Sequence, residues 1–364
     1  MAPRLPRVLH PVAWWLWALG LAVAASRTTN PLLLVVLLCV VGFVVRLRRT
    51  NAPWALGFRY YLVMAVVIIV IRVAFRIIFT APVLPDDTVL FSLPRVPTPS
   101  WYSGIRIGGE VSAGAVLSAI VDGMRLATLL CCIGAANVLA NPKRLLRVLP
   151  GALHEIGVAV VVAISVAPQL IESTQRVRRA RRLRGGGKGW RSLNAVWVPV
   201  LEDALANSRH LAASMDSRGY GRSTTASRRD RTITTSLMLG ALVALSLGSY
   251  GLLSGDLTLA LGYPGLAVGV VLGIAGLIWG GRRVTVTRYR PDPWRAAETA
   301  TVVCGIACAT IFILGYGFSA HDIAPILEPP QWPTLPVVPL IAVMVAAVPA
   351  LITPPAMRDE GERR

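Results

Sequence analysis

The sequence predicts an all-α polytopic membrane protein, with about eight transmembrane helices and a cytoplasmic helical layer inserted after the fourth. Three observations carry this. The 364 residues are 54% hydrophobic and only 15% charged, with a mean hydropathy of +0.61. Soluble domains hold closer to a quarter charged residues and lack repeated apolar runs near 20 residues. Lys and Arg outnumber Asp and Glu by 37 to 18, and they gather at the ends of alternate apolar runs. That placement marks a cytoplasmic face and not a nucleic-acid surface.

Taken in order, Arg4 and Arg7 precede an apolar run over 11–25. Ala22-Val-Ala24 resembles a signal cleavage site. A second apolar run follows almost at once, so a retained first span in a tight hairpin is favoured. The second span covers about 31–45 and stops at Arg46, Arg48 and Arg49, and the third covers about 60–79. A polar, Pro-rich loop over 81–111 carries Asp86, Asp87 and Glu110, and the fourth span covers about 114–140. Further spans are predicted near 233–253, 257–280, 300–318 and 335–352. The expected divisions are an N-terminal transmembrane part at 1–140, a cytoplasmic or interfacial part at 141–231, and a C-terminal transmembrane part with a short tail at 232–364.

The stretch 153–221 lies between these spans. It opens apolar (156–167) and becomes densely basic (Gln175 to Gly185). After a Gly-rich bend it climbs an amphipathic helix. Twelve apolar residues are too few to cross a bilayer, which needs about 20. Charge agrees. With the segment held inside, Arg27, Arg95 and Arg106 lie outside and Arg72, Arg76 and Arg125 lie within spans, leaving 31 of the 37 basic residues inside. The segment is therefore expected to lie in the interface, with both termini cytoplasmic. Leu201, Ala204, Leu205, Ser208, Leu211, Ala212 and Met215 recur at three- and four-residue steps and form the apolar face of the second helix. Pro199 suits its first turn, and Gly219 and Gly221 suit its end.

Catalytic and metal motifs find no support. Gly185-Gly-Gly-Lys-Gly189 lacks the spacing of a phosphate loop and reads as a turn. The four histidines stand apart, and Cys39, Cys131, Cys132, Cys304 and Cys308 sit in apolar runs as packing residues. No cofactor, metal or nucleic acid is expected. Asp122 pairs on paper with Arg125 on its own helix, or with Arg72 or Arg76 across it. The arginine run suits contact with anionic lipid. Arg218 differs, because Ser217 and Gly219 add no bulk beside it, so its guanidinium fork suits entry into a protein groove.

Five segments carry a family resemblance: Asn141-Pro-Lys-Arg-Leu-Leu146, Ala167-Pro-Gln-Leu-Ile-Glu172, the Ala-Arg run, Val198-Pro-Val-Leu201 and Ser214-Met-Asp-Ser-Arg-Gly-Tyr-Gly221. Together they resemble the transmembrane (T) component of energy-coupling factor transporters, the EcfT/CbiQ-like family. The resemblance is centred on 111–221. It implies two short coupling motifs that dock on ABC-type ATPases. The second falls on Ser217, Arg218 and Gly219. The first falls on Ala180, Arg181 and Arg182, or on Arg184, with Arg181 preferred. It further implies two ATPase subunits and a membrane-embedded substrate-binding (S) component as partners. Leu201, Leu205, Leu211 and Met215 would pack against the S component, and the cargo would be a vitamin or a transition-metal ion such as cobalt or nickel. On this reading the chain is a non-enzymatic scaffold of the cell membrane. The alternatives are a membrane enzyme acting on lipid-linked substrates, through His154, Glu155, Glu172, Glu202 and Asp203, and a polybasic structural membrane protein. Four spans after the insert exceed the compact pattern of the family and are expected to include an added element.

Overall fold

The computed structural model describes residues 7, 9–50, 57–79, 87–94, 108–146, 148, 153–184, 190–219, 228–254, 258–281, 292–315, 319–327 and 332–354. Arg4, Asp86, Arg95, Arg106, Gly185 to Gly189, Gly221, the basic residues at 282–290 and the tail lie outside them. The helices in chain order are α1 (Pro11–Arg27), α2 (Pro31–Arg48), α3 (Phe58–Ile78), α4 (Ala113–Leu139) and a short α5 (Pro142–Leu146). They continue with α6 (His154–Leu183), α7 (Trp190–Ser217), α8 (Arg228–Leu253), a π-helical turn (Thr258–Gly262), α9 (Tyr263–Gly281) and α10 (Ala296–Leu314). Three short helices follow: α11 (Ala320–Ile323), α12 (Val337–Val345) and α13 (Pro349–Ile352). Between α3 and α4, β1 (Val89–Ser92) pairs antiparallel with β2 (Glu110–Ser112).

Among the described residues, seven helices are long and apolar enough to cross a membrane. Six of them, α2, α3, α4, α8, α9 and α10, coincide with expected spans. The first expected span forms the 17-residue α1, and the last is the shorter apolar stretch Val337–Ile352. The seventh long apolar helix is a correction. Residues 156–167 do not form a short apolar segment that gives way to something else; they open the unbroken 30-residue α6. The length argument against a crossing therefore fails for this helix, which is one of the seven. Pro168 lies within α6, and Pro199 lies within α7 instead of at its start.

The helices group into two units. One comprises Met1–Leu145 with Pro291–Arg364, the other Leu146–Arg290. This differs from the division expected by sequence position, because the C-terminal helices α10, α12 and α13 belong with α1–α4. Within the first unit α4 packs on α1, α2 and α3, α10 packs on α1, and α12 packs on α2. Trp17, Leu21, Leu33, Leu34, Leu37, Val41 and Phe312 are fully buried in this core. The backbones of α1 and α10 touch at Gly20 and Gly305, where a Cβ on Gly305 would stand 2.6 Å from the Trp17 Cα. Small residues permit this approach, which raises dispersion contact between helices in lipid.

Polar contacts tie the ends of this unit together. Trp17 Nε1 donates to the Ala346 carbonyl at 3.0 Å. Arg7 pairs with Glu298, which is fully buried, and Arg144 bridges Asp292 at 2.6 Å. Asn30 caps α2 by accepting from the Leu32 N–H, and it donates to the carbonyls of Asp322 (2.9 Å) and Thr334 (2.7 Å). The Asp322 carboxylate accepts from the Ser319 N–H and from the hydroxyls of Ser319 and Thr334. Those bonds, led by the Ser319 N–H, hold its carboxyl below the usual range.

The second unit holds two helix pairs, α6 with α7 and α8 with α9. The α8–α9 pair is tightly apposed, with a Cβ on Gly265 reaching the Gly248 Cα at 2.8 Å.

Candidate functional site: the α6–α7 pair

α6 and α7 meet at a polar contact. The Ser173 hydroxyl, buried at 5% exposure, donates to the Asp203 Oδ2 at 2.7 Å. A proline sits about one turn before each member, Pro168 five residues before Ser173 and Pro199 four before Asp203. Proline removes one intrahelical hydrogen bond and crowds the preceding turn, so each helix is weakened just ahead of the contact.

Beyond the contact α6 runs on to a basic end, and α7 to a single arginine just past its last turn. On α6, Arg176, Arg178, Arg179, Arg181 and Arg182 precede Arg184, which closes the helix by donating its N–H to the Arg181 carbonyl at 3.1 Å. Cations at a helix C-terminus face the negative end of its dipole, so this run stabilises the helix that carries it. Ala180, Arg182 and Arg184 are exposed and Arg181 is half-buried.

On α7 the last helical residue is Ser217. Its hydroxyl donates to the Ser214 carbonyl at 2.9 Å, which keeps it against its own helix. The Arg218 and Gly219 N–H groups bond the carbonyls of Met215 (3.1 Å) and Asp216 (2.9 Å) and close the final turn. Gly219 adopts φ +75, the left-handed conformation that ends helices and favours glycine, and open space surrounds its Cα. The glycine at this helix end thus matches expectation. The Arg218 side chain is exposed and makes no hydrogen bond or ion pair among the described residues.

The apolar face expected on α7 remains open. Leu201 and Leu205 are 53% and 60% exposed, Ala212 is exposed, and Leu211 and Met215 are half-buried. Buried instead are Val196 and Val200, which the sequence did not place on that face. Ser173 also escaped sequence reasoning. A serine between Glu172 and Thr174 carries no signal, and its partner lies 30 residues further along the chain.

The suggested Asp122–Arg125 pair does not form. Arg125 donates to the Ser26 carbonyl, and Asp122 makes no hydrogen bond or ion pair among the described residues. No group of three or more His, Cys, Asp or Glu side chains that could hold a metal occurs among the described residues.

Long apolar helices carrying an inserted, arginine-tipped helix pair define a multi-pass membrane protein of all-α architecture. Residues 3–227 match the CbiQ family, described as cobalt transport protein. The match covers well over half of the chain, and the chain belongs to this family. It is a membrane component of a micronutrient transport system. No curated protein matches the chain. The family match takes in α1 through α7 and ends just before α8.

Proposed function

We propose that the chain is the transmembrane coupling subunit of an energy-coupling-factor importer for a transition-metal ion or a vitamin, with cobalt as the first cargo to test. Two ABC-type ATPases would each receive one arginine-bearing helix end, α6 through Arg181 or Arg184 and α7 through Arg218. Their ATP-driven closure would move α6 and α7, and the open face at Leu201, Leu205, Leu211 and Met215 would pass that motion to a membrane-embedded substrate-binding component. The termini and both helix ends lie on the cytoplasmic side in this reading, and the chain itself performs no chemistry.

One observation carries the reading: Arg218 is exposed, makes no hydrogen bond or ion pair among the described residues, and is held at a closed helix end between two residues without bulk. A lipid-facing cation needs only charge, whereas a groove-docking guanidinium needs its planar fork. The experiment is affinity purification of the full chain co-expressed with ABC-type ATPases from its own source. Arg218→Glu is expected to abolish ATPase recovery while membrane insertion is unchanged, and Arg218→Lys to reduce it. Full recovery with Arg218→Glu would refute the coupling role.

A further inference from the structure

α4 is the centre of the first unit, yet one stripe of it is open. Asp122, Leu126, Ile133 and Asn137 are exposed, while Val121, Gly123, Ala127, Gly134, Ala135 and Val138 beside them are buried. Steps of four, seven and four residues keep the four exposed positions on a single helical face. Contact with α3 sets their depth. A Cβ on Gly123 would meet the Ile69 Cα at 2.9 Å, and Ile69 lies near the middle of the 21-residue Phe58–Ile78. Asp122 therefore stands near the mid-plane of a span.

Asn137, at the other end of the stripe, has a partner, since its Nδ2 donates to the Tyr61 hydroxyl at 3.1 Å. Asp122 has none among the described residues. Arg125 is committed to the Ser26 carbonyl. Arg72 is exposed and long enough to extend toward the headgroups. An aspartate side chain is too short to do so across about 15 Å of hydrocarbon on either side. Lipid tails supply no donor, and intramembrane charges pair with protein groups or water. Between Asp122 and Asn137 the stripe is apolar, with Leu126 and Ile133 each less than half exposed.

We propose that the Asp122–Leu126–Ile133 stripe seats a transmembrane helix of a separate membrane subunit, which brings one basic side chain to Asp122 at mid-depth. The proposal rests on the coupling reading only for the existence of a second membrane subunit. The partner's chemistry, an apolar helix with a single buried Lys, Arg or His, follows from the stripe.

The test places a photo-reactive benzoylphenylalanine at Leu126 in the full chain, co-expressed with the genes flanking its own. Irradiation of the membranes is followed by mass spectrometry of the adducts. A second probe at Ile274, exposed on α9, gives the background of contact with lipid and passing proteins. The expected adduct joins Leu126 to a spanning helix of a different polypeptide, with a basic residue within about one turn of the linked position. Asp122→Asn is expected to lower its yield about threefold and Asp122→Lys about tenfold, the range of one interhelical polar contact. Changing the partner's basic residue to Asp restores the yield in Asp122→Lys. Adducts to a second copy, to another segment of this chain or to lipid alone overturn the proposal, as does a yield indifferent to Asp122. ATPase recovery by each Asp122 variant reports that the chain is inserted and assembled. Loss of ATPase in Arg218→Glu with no partner helix at Leu126 overturns this docking and leaves the coupling role standing. A partner helix at Leu126 with ATPase recovery indifferent to Arg218 overturns the coupling role alone.

Discussion

At the residue scale, the ends of α6 and α7 differ in chemistry. Arg184 and the arginines before it cap a helix whose dipole they complement, so their charge has a structural use before any partner arrives. Arg218 has no such use, and Gly219 behind it holds φ +75 in open space. Gly219→Ala should therefore cost roughly 1 kcal/mol of local helix-end stability through backbone strain alone, with no clash. Hydrogen exchange at the Arg218 and Gly219 amides would read it, as faster exchange confined to the last turn. A larger penalty attends Arg7, whose partner Glu298 is fully buried. Arg7→Ala strands a buried carboxylate and should destabilise the first unit by about 3 kcal/mol, whereas the double variant with Glu298→Gln should recover most of that. Thermal unfolding in detergent would measure both. Arg218 was legible in the sequence because small neighbours are a local pattern. Arg7–Glu298 was not, because its members are 291 residues apart and each reads as an ordinary charge at a helix approach.

At the scale of elements, hydropathy located the helices well and cut one of them wrongly. The switch from apolar to basic within α6 marks a change of surroundings and not of backbone, since arginine is among the better helix formers. The helix runs straight through it. Pro199 misled in a similar way, because a proline reads as a helix start and this one is interior. What the sequence could not supply was the contact that joins the two helices. Ser173→Ala leaves the Asp203 carboxylate short of a donor and should cost about 1–2 kcal/mol of α6–α7 association. A spin-label distance between the two helices would detect the loosening, and on the proposed coupling role ATP-driven import should fall with it. Pro199→Ala should do the reverse to stiffness, by restoring one hydrogen bond to α7. From Pro199 to Ser217 is about 27 Å of helix at 1.5 Å per residue, so a bend of about 10° near Pro199 displaces the tip by roughly 5 Å.

At the scale of the whole molecule, the side on which the α6 and α7 ends emerge decides between a surface layer and a further crossing. With Cys39 replaced by Ser, single cysteines at Val148 and Ser217 should both label only from the cytoplasmic side. Labelling from opposite sides would mean that α6 spans the membrane, as its length permits. The added element that the sequence led one to expect also narrows. α10, α12 and α13 complete the core begun by α1 and α2, and only α8–α9 stands outside both that core and the family match. That closure was invisible in the sequence, where four C-terminal apolar runs look alike and nothing ranks them by neighbour. It has a kinetic consequence. Trp17 donates to Ala346 across 329 residues, and the Gly20 face of α1 meets α10 only after some 280 residues have been made. At about 5–20 residues per second, α1 waits roughly 15–65 s from its own synthesis for its last partner. During that interval a tryptophan-rich helix of 17 residues must be held by the insertion machinery or by lipid. Biogenesis of this chain is thus a problem of delayed closure, and its most vulnerable intermediate is the nearly finished one.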